Sequence, residues 1–149
     1  NGYAEATSSK YSVACHDVAD RADSFNMPGV TVDGHDFFAV HEAAGAAVER
    51  ARQGEGPTLI ECKVNRYYGH FEGDAQTYRA ADEVAKIRAS RDCIANFASR
   101  VTSAGWIDLA ELEAIDREAE ALIEDSVVQA KASPKPTLAD LETDVYVSY

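Results

Sequence analysis

The chain has no surplus of positive charge: 14 lysines and arginines stand against 26 aspartates and glutamates, for a formal charge of −12 across 149 residues. Neutralising phosphates needs the opposite balance, and no basic stripe runs against the total, so nucleic acid is not an expected partner. Long apolar runs are missing too, so no membrane partner is expected. The cysteines, Cys15, Cys62 and Cys93, stand far apart with no CxxC pair, which suits free thiols in a reducing compartment better than a disulfide frame. Prolines are few, at 28, 57, 134 and 136, and long elements fit between them. No internal repeat or low-complexity segment is present. There is no initiator methionine and no targeting stretch at the start, so the chain reads as a piece of a longer protein whose leader, if any, lies upstream. Cytoplasm is the default location, with an organelle matrix as the other choice.

With 46% hydrophobic residues the chain can bury a core of one domain's size. Asn1 to Tyr11 is small and polar and reads as a strand end running into a loop. "HDVADRADSF" predicts a short helix that stops at "NMPG". "VTVDG", Val30 to Gly34, is a β-branched strand closed by a turn. Asp36 is an N-cap for a helix in which Phe37, Val40, Ala44, Ala47, Val48 and Ala51 recur at helical spacing, with Arg50 and Arg52 in the last turn and Gly54 beyond. "PTLIECKV", Pro57 to Val64, is the second strand, and its apolar centre predicts burial on both faces. Strand, helix, strand is a βαβ unit, which implies a parallel sheet with a right-handed crossover. Val84, Ile87, Ile94, Phe97 and Val101 mark one or two further helices. Asp108 and Glu111 form a capping-box pattern at the start of a long helix that Ser133-Pro134 ends. The closing "LADLETDVYVSY" reads as a docking tail.

The candidate chemistry concentrates in "NRYYGHFEGDAQTYR", Asn65 to Arg79. This loop leaves the carboxyl end of a parallel strand, where open α/β sheets bind ligands. Arg66 and Arg79 can fork onto anions, and His70 titrates near neutrality. The alternative is a polar surface loop with its tyrosines packed beneath. His70, Glu72 and Asp74 at alternate positions could instead hold a metal, although a solvated acidic loop is the simpler reading. Cys15-His16-Asp17 has the residue types of a cysteine hydrolase but no activating motif around it. Gly54-Glu-Gly56 precedes its strand, the reverse of a dinucleotide fingerprint, and reads as a helix terminator. His35 and His41 read as a turn residue and a helix-face residue.

Several stretches taken together resemble one family: "NGYA", "DVADRADSFNMPGVTVDGHD", "GPTLIECKVNRYYGHFEGDAQTYR" and "ASPKPTLADLETDVY". They are similar to the α subunit of the thiamin-diphosphate-dependent dehydrogenases, the first components of the pyruvate, branched-chain 2-oxo acid and acetoin dehydrogenase complexes. The similarity runs through almost the whole chain in order. It implies an α/β fold in which residues 1–79 are the C-terminal half of a thiamin-diphosphate-binding domain, with active-site loop 65–79, and residues 80–149 are a helical arm and docking tail.

The same resemblance implies an oxidoreductase that cleaves a carbon–carbon bond beside a carbonyl of a 2-oxo acid or acetoin and passes the product to a lipoyl group. Its implied cofactors are thiamin diphosphate and Mg2+. Its implied partners are a β subunit, in an α2β2 assembly, and a lipoyl-bearing acyltransferase component. Asn1 matches the asparagine that ends the family's metal motif, and Tyr3 the residue whose carbonyl joins it, so both are implied magnesium and cofactor ligands. Arg66 matches an arginine that orders the loop and the diphosphate region, and His70 the catalytic histidine beside the cofactor. The Gly-Asp-Gly half of the metal motif is absent from this chain. Phe71 stands where mitochondrial pyruvate enzymes carry a phosphorylated serine, which rules out that control here and points to a bacterial-type enzyme. Cys93 replaces a common proline at a helix start. The competing readings are a non-catalytic α/β interaction domain with an acidic helical arm and a nucleotide-binding fragment.

Overall fold

The computed structural model describes residues 1–141 and residue 143. The chain divides into two compact units, Asn1–Ala104 and Gly105–Tyr149.

The first unit opens with a miniature antiparallel hairpin, β1 (Tyr3–Ala4) against β2 (Thr7–Ser8), where a strand end and loop were expected. Glu5 turns the hairpin with a φ of 51°, in the left-handed region. A helical turn, α1 (Ser9–Ser12), follows, capped by the Ser8 hydroxyl. The expected short helix is a 3-10 helix over Val18–Phe25, bounded by an Asp17/Asp20 capping box and by Asn26 at a φ of 52°.

Next come β3 (Gly29–Asp33), α2 (Phe37–Arg52) and β4 (Leu59–Lys63). The strands pair in parallel, with Gly29 opposite Leu59 and Asp33 opposite Lys63, so the βαβ reading holds. Asp36 caps α2 as its sequence position suggests, accepting from the Phe38 and Ala39 amides at 2.9 and 3.4 Å. Gly54 and Gly56 adopt φ of 77° and 90°, consistent with a terminator and turn.

Burial of β4 on both faces is corrected. Leu59, Ile60 and Glu61 are half-buried, and Cys62 and Lys63 are exposed. With a period of two, Cys62 and Lys63 lie on opposite faces and are open at the strand's carboxyl end, while Glu61 and Lys63 share the face toward the 3-10 helix. There the Glu61 carboxylate accepts from the Ala19 amide at 2.9 Å, and the Lys63 ammonium lies 2.8 Å from Asp17 as well as against Glu61. Hydrogen bonding from Lys63 holds Asp17 below the usual carboxylate range, and Asp17 followed by Glu61 raises Lys63. The pairing fixes the 3-10 helix on the sheet, and with it the buried Ala19 and Ala22.

Two helices, α3 (Glu83–Ser90) and α4 (Cys93–Ser103), complete the unit. Phe97 of α4 meets Phe37 and Phe38 of α2 with ring centroids 4.9 and 5.9 Å apart, and Arg100 lies 4.0 Å over the Phe38 ring. Val101, 2% exposed, is the largest fully buried side chain among the described residues.

The second unit is dominated by α5 (Leu109–Ala132), capped by Asp108 accepting from the Glu111 amide at 2.8 Å and ended at Ser133. A 3-10 turn spans Leu138–Leu141. Most of the expected docking tail lies outside the described residues. No described helix is long and apolar enough to cross a membrane.

Candidate functional site

Asn65 to Arg79 leaves the carboxyl end of β4, and its polar side chains are largely engaged with one another. Asp74 is the hub. Its carboxylate accepts from the His70 amide at 2.8 Å, the Gln76 amide at 2.8 Å and the Tyr78 hydroxyl at 2.6 Å. The Tyr78 hydroxyl first, then the two amides, hold its carboxyl down at about 2. Gly69 lies so close to Asp74 that a Cβ there would run into the carboxylate side chain. The metal alternative on His70, Glu72 and Asp74 gains nothing: Asp74 staples the loop, and no cluster of histidine, cysteine or acidic residues able to hold a metal occurs among the described residues.

Arg66 joins this loop to the amino-terminal hairpin. Its Nη2 donates to the Glu5 carbonyl at 3.1 Å and to the Tyr78 hydroxyl at 2.6 Å, and its Nε donates to the Tyr68 carbonyl at 3.1 Å. Residues sixty-one positions apart are thus bound through one guanidinium. The Tyr3 ring packs at a 55° tilt against Tyr78, centroids 5.1 Å apart, with the Arg79 guanidinium 5.3 Å from the Tyr3 ring. Arg79 in turn closes the loop on itself, donating from Nη1 to the Arg66 carbonyl at 2.7 Å.

Arg66 also approaches the His70 ring. Its Nη1 lies 3.5 Å from His70 Nδ1, and a guanidinium can only donate. A hydrogen bond there would take Nδ1 as the acceptor and leave Nε2, 4.0 Å from Glu5 Oε1, as the donor position. The ring is half exposed.

Asn1 and Tyr3 face a different part of the same region. They line an open cleft of about 830 Å³ together with His16, Lys63, Asn65 and Arg91, a size within the range of small-molecule sites. Asn1 Oδ1 accepts from the Tyr3 amide at 2.9 Å, which fixes its direction and leaves a second lone pair. An amide oxygen and a main-chain carbonyl are the neutral oxygen donors a hard cation accepts, so these residues fit a share of a magnesium site. Arg66 and His70 are not in the cleft lining; they meet the hairpin on its Glu5 side.

The Cys15-His16-Asp17 triplet has no hydrolase geometry. His16 sits 3.2 Å from Asp17, but that carboxylate is engaged by Lys63. All three cysteines are free.

Sequence reasoning missed His35. It lies in a turn as expected, yet it is 8% exposed and its Nε2 donates to Asn65 Oδ1 at 2.9 Å. The signal was the register: Asp33 pairs with Lys63, so residues two beyond each strand end emerge side by side.

Fold and site together define an α/β protein with a self-ordered polar loop at the carboxyl end of parallel strands, joined to a hairpin that borders a ligand-sized cleft. The chain belongs to the dehydrogenase E1 component family, whose model matches residues 1–139, and that family implies thiamin diphosphate. It is 61% identical over its full length to the α subunit of acetoin:2,6-dichlorophenolindophenol oxidoreductase from Cupriavidus necator and 49% identical to that of Bacillus subtilis. It is 41% identical, over 97% of its length, to the pyruvate dehydrogenase E1 component subunit α of Rhizobium meliloti. The chain spans 45%, 44% and 42% of those three relatives.

Proposed function

We propose that this chain is part of the α subunit of a thiamin-diphosphate-dependent dehydrogenase that acts on acetoin, with a 2-oxo acid such as pyruvate as the competing substrate class. The observation that carries the reading is the Arg66 bridge, which ties the hairpin bearing Asn1 and Tyr3 to the loop bearing His70. The higher identity to acetoin-named relatives than to the pyruvate-named one supports the substrate class.

Bound thiamin diphosphate supplies the nucleophilic carbon and electron sink that let a bond beside a carbonyl break. Asn1 Oδ1 and the Tyr3 carbonyl would share in holding Mg2+ on the diphosphate. Arg66 orders the loop against the hairpin and, by donating to His70 Nδ1, would keep the ring's proton on Nε2. His70 then offers an Nε2–H donor to reacting oxygens and can take the proton back. The loop, already internally bonded, would close over that face once cofactor and β subunit are in place. The remaining parts of the reading are a β subunit in an α2β2 assembly, a lipoyl group on an acyltransferase component as acceptor, and a cytoplasmic location like that of a bacterial enzyme. The 149-residue chain alone would not turn over.

The test uses the full-length subunit with its β partner, thiamin diphosphate and Mg2+, and follows substrate-dependent reduction of 2,6-dichlorophenolindophenol. Acetoin is expected to support reduction, with pyruvate much poorer. His70→Ala is expected to lower the rate at least about tenfold, roughly 1.4 kcal/mol of barrier, while cofactor affinity changes little. No reduction with acetoin removes the substrate assignment, and an unchanged rate in His70→Ala removes the histidine from the chemistry.

A further inference from the structure

The strands β3 and β4 end flush, with Asp33 opposite Lys63, and the main chain holds them together one residue further, where the Gly34 amide donates to the Lys63 carbonyl at 2.9 Å. Past that point the two exits diverge: one turns into α2, the other becomes the loop. His35 and Asn65 are the residues at which they part. Asp33 Oδ1 accepts from the His35 amide at 3.0 Å and from Arg91 Nη2 at 2.6 Å, so the turn carrying His35 is itself anchored. The His35 ring, 8% exposed, delivers its Nε2–H to Asn65 Oδ1 at 2.9 Å. Asn65 directly precedes Arg66, whose guanidinium reaches Glu5, Tyr78 and His70.

We propose that His35 is a positioning residue for the loop: through Asn65 it fixes the direction in which the chain leaves β4, and so where the Arg66 guanidinium and His70 ring come to lie. Two observations support a positioning role over simple packing. The contact is made by a buried polar group to a side chain at the root of the loop, and a buried donor left without its acceptor would destabilise this arrangement. Asp74 with Tyr78 and Arg79 with the Arg66 carbonyl close the loop on itself, while its outward contacts, Arg66 to the Glu5 carbonyl and the Tyr67 hydroxyl to the Arg91 carbonyl at 3.4 Å, lie further along the chain than Asn65. His35 acts at the loop's root, bonding directly from the end of β3 to the second residue past β4.

The role of the loop rests on the proposed function, but the loop's dependence on His35 can be measured without it. Amide hydrogen exchange in the full-length subunit with its β partner, without cofactor, compares the parent with His35→Leu, His35→Gln and Asn65→Ala. Gln restores an N–H donor at about the reach of Nε2. Positioning predicts at least fivefold faster exchange across 66–79 in His35→Leu and in Asn65→Ala, exchange within twofold of the parent in β3 and α2, and recovery to within twofold throughout in His35→Gln. It also predicts that His35→Leu with Asn65→Ala is no worse than either alone. Dye reduction by the same variants should show kcat falling about fivefold or more in His35→Leu, with KM little changed and Gln restoring it. Loop exchange unchanged in His35→Leu, or accelerated equally in β3, α2 and the loop, overturns the proposal. If the parent shows no turnover on any substrate, the function reading fails while the exchange result still decides this one.

Discussion

Arg79→Met tests whether the loop is held by its own contacts. The Arg79 side chain is 3% exposed. Its Nη1 donates to the Arg66 carbonyl at 2.7 Å and to Gln76 Oε1 at 3.2 Å, while its Nε, 3.7 Å from Glu83, makes no hydrogen bond. Methionine keeps most of the aliphatic stem and removes the donors. A charged donor on a carbonyl contributes about 1.5–3 kcal/mol, and the guanidinium over the Tyr3 ring about 0.5–1 kcal/mol more. Against this stands relief from burying a cation with one nitrogen unbonded. The net expectation is about 2 kcal/mol, or about 30-fold in the opening equilibrium. Hydrogen exchange across 66–78 should therefore rise about 30-fold in the full-length subunit, with β3 and α2 as internal controls. Loop exchange within about threefold of the parent would refute the idea that Arg79 closes it.

Further expectations follow from the same contacts. The Asp74 carboxyl is held at about 2 against an ordinary 3.8; because its folded value lies below its unfolded one, its contribution is complete above about pH 4 and is lost as pH falls through about 2. Loop exchange, corrected for intrinsic rate, should accelerate over that window, and Asp74→Asn should abolish the pH step; a flat profile in the parent counts against the hub. Asn1→Ala should weaken magnesium-dependent retention of thiamin diphosphate by the full-length subunit on gel filtration, and equal retention would remove Asn1 from the metal site. Val101→Ala empties a position that is 2% exposed and should cost about 2 kcal/mol. A urea titration showing under about 0.5 kcal/mol would mean α4 is not packed as described.

The elements with strong local chemistry were legible in the sequence. Asp36 and Asp108 announced their helices because an aspartate before an apolar periodic run has amides to cap, and β-branched strands on either side of α2 announced the parallel pair. The hairpin at Tyr3–Ser8 left no such trace. Two-residue strands show no alternation, and the left-handed Glu5 occupies a conformation that usually selects glycine or asparagine. Burial of β4 was overestimated because an apolar centre was given more weight than Glu61 and Lys63, whose shared face could be read from the period of two. His35 was passed over because a turn histidine has no meaning until strand register is known.

The loop's composition presented two readings, a working site or a polar surface over packed tyrosines, and in the structure its charged groups and tyrosines are bonded to one another. Tyr67 and Tyr68 receive the Arg88 guanidinium at 4.4 and 5.0 Å. Tyr78 links Asp74 to Arg66. Arginine, aspartate and tyrosine in this segment are thus spent mainly on holding its shape. A segment bonded to itself in this way loses less conformational freedom when a ligand arrives than a disordered lid would, so more of the contact energy appears as affinity. Under the proposed function, His70 is the loop residue that would act on substrate. Its amide is fixed by Asp74 and its Nδ1 faces Arg66, which would leave Nε2 as the ring position available for proton transfer.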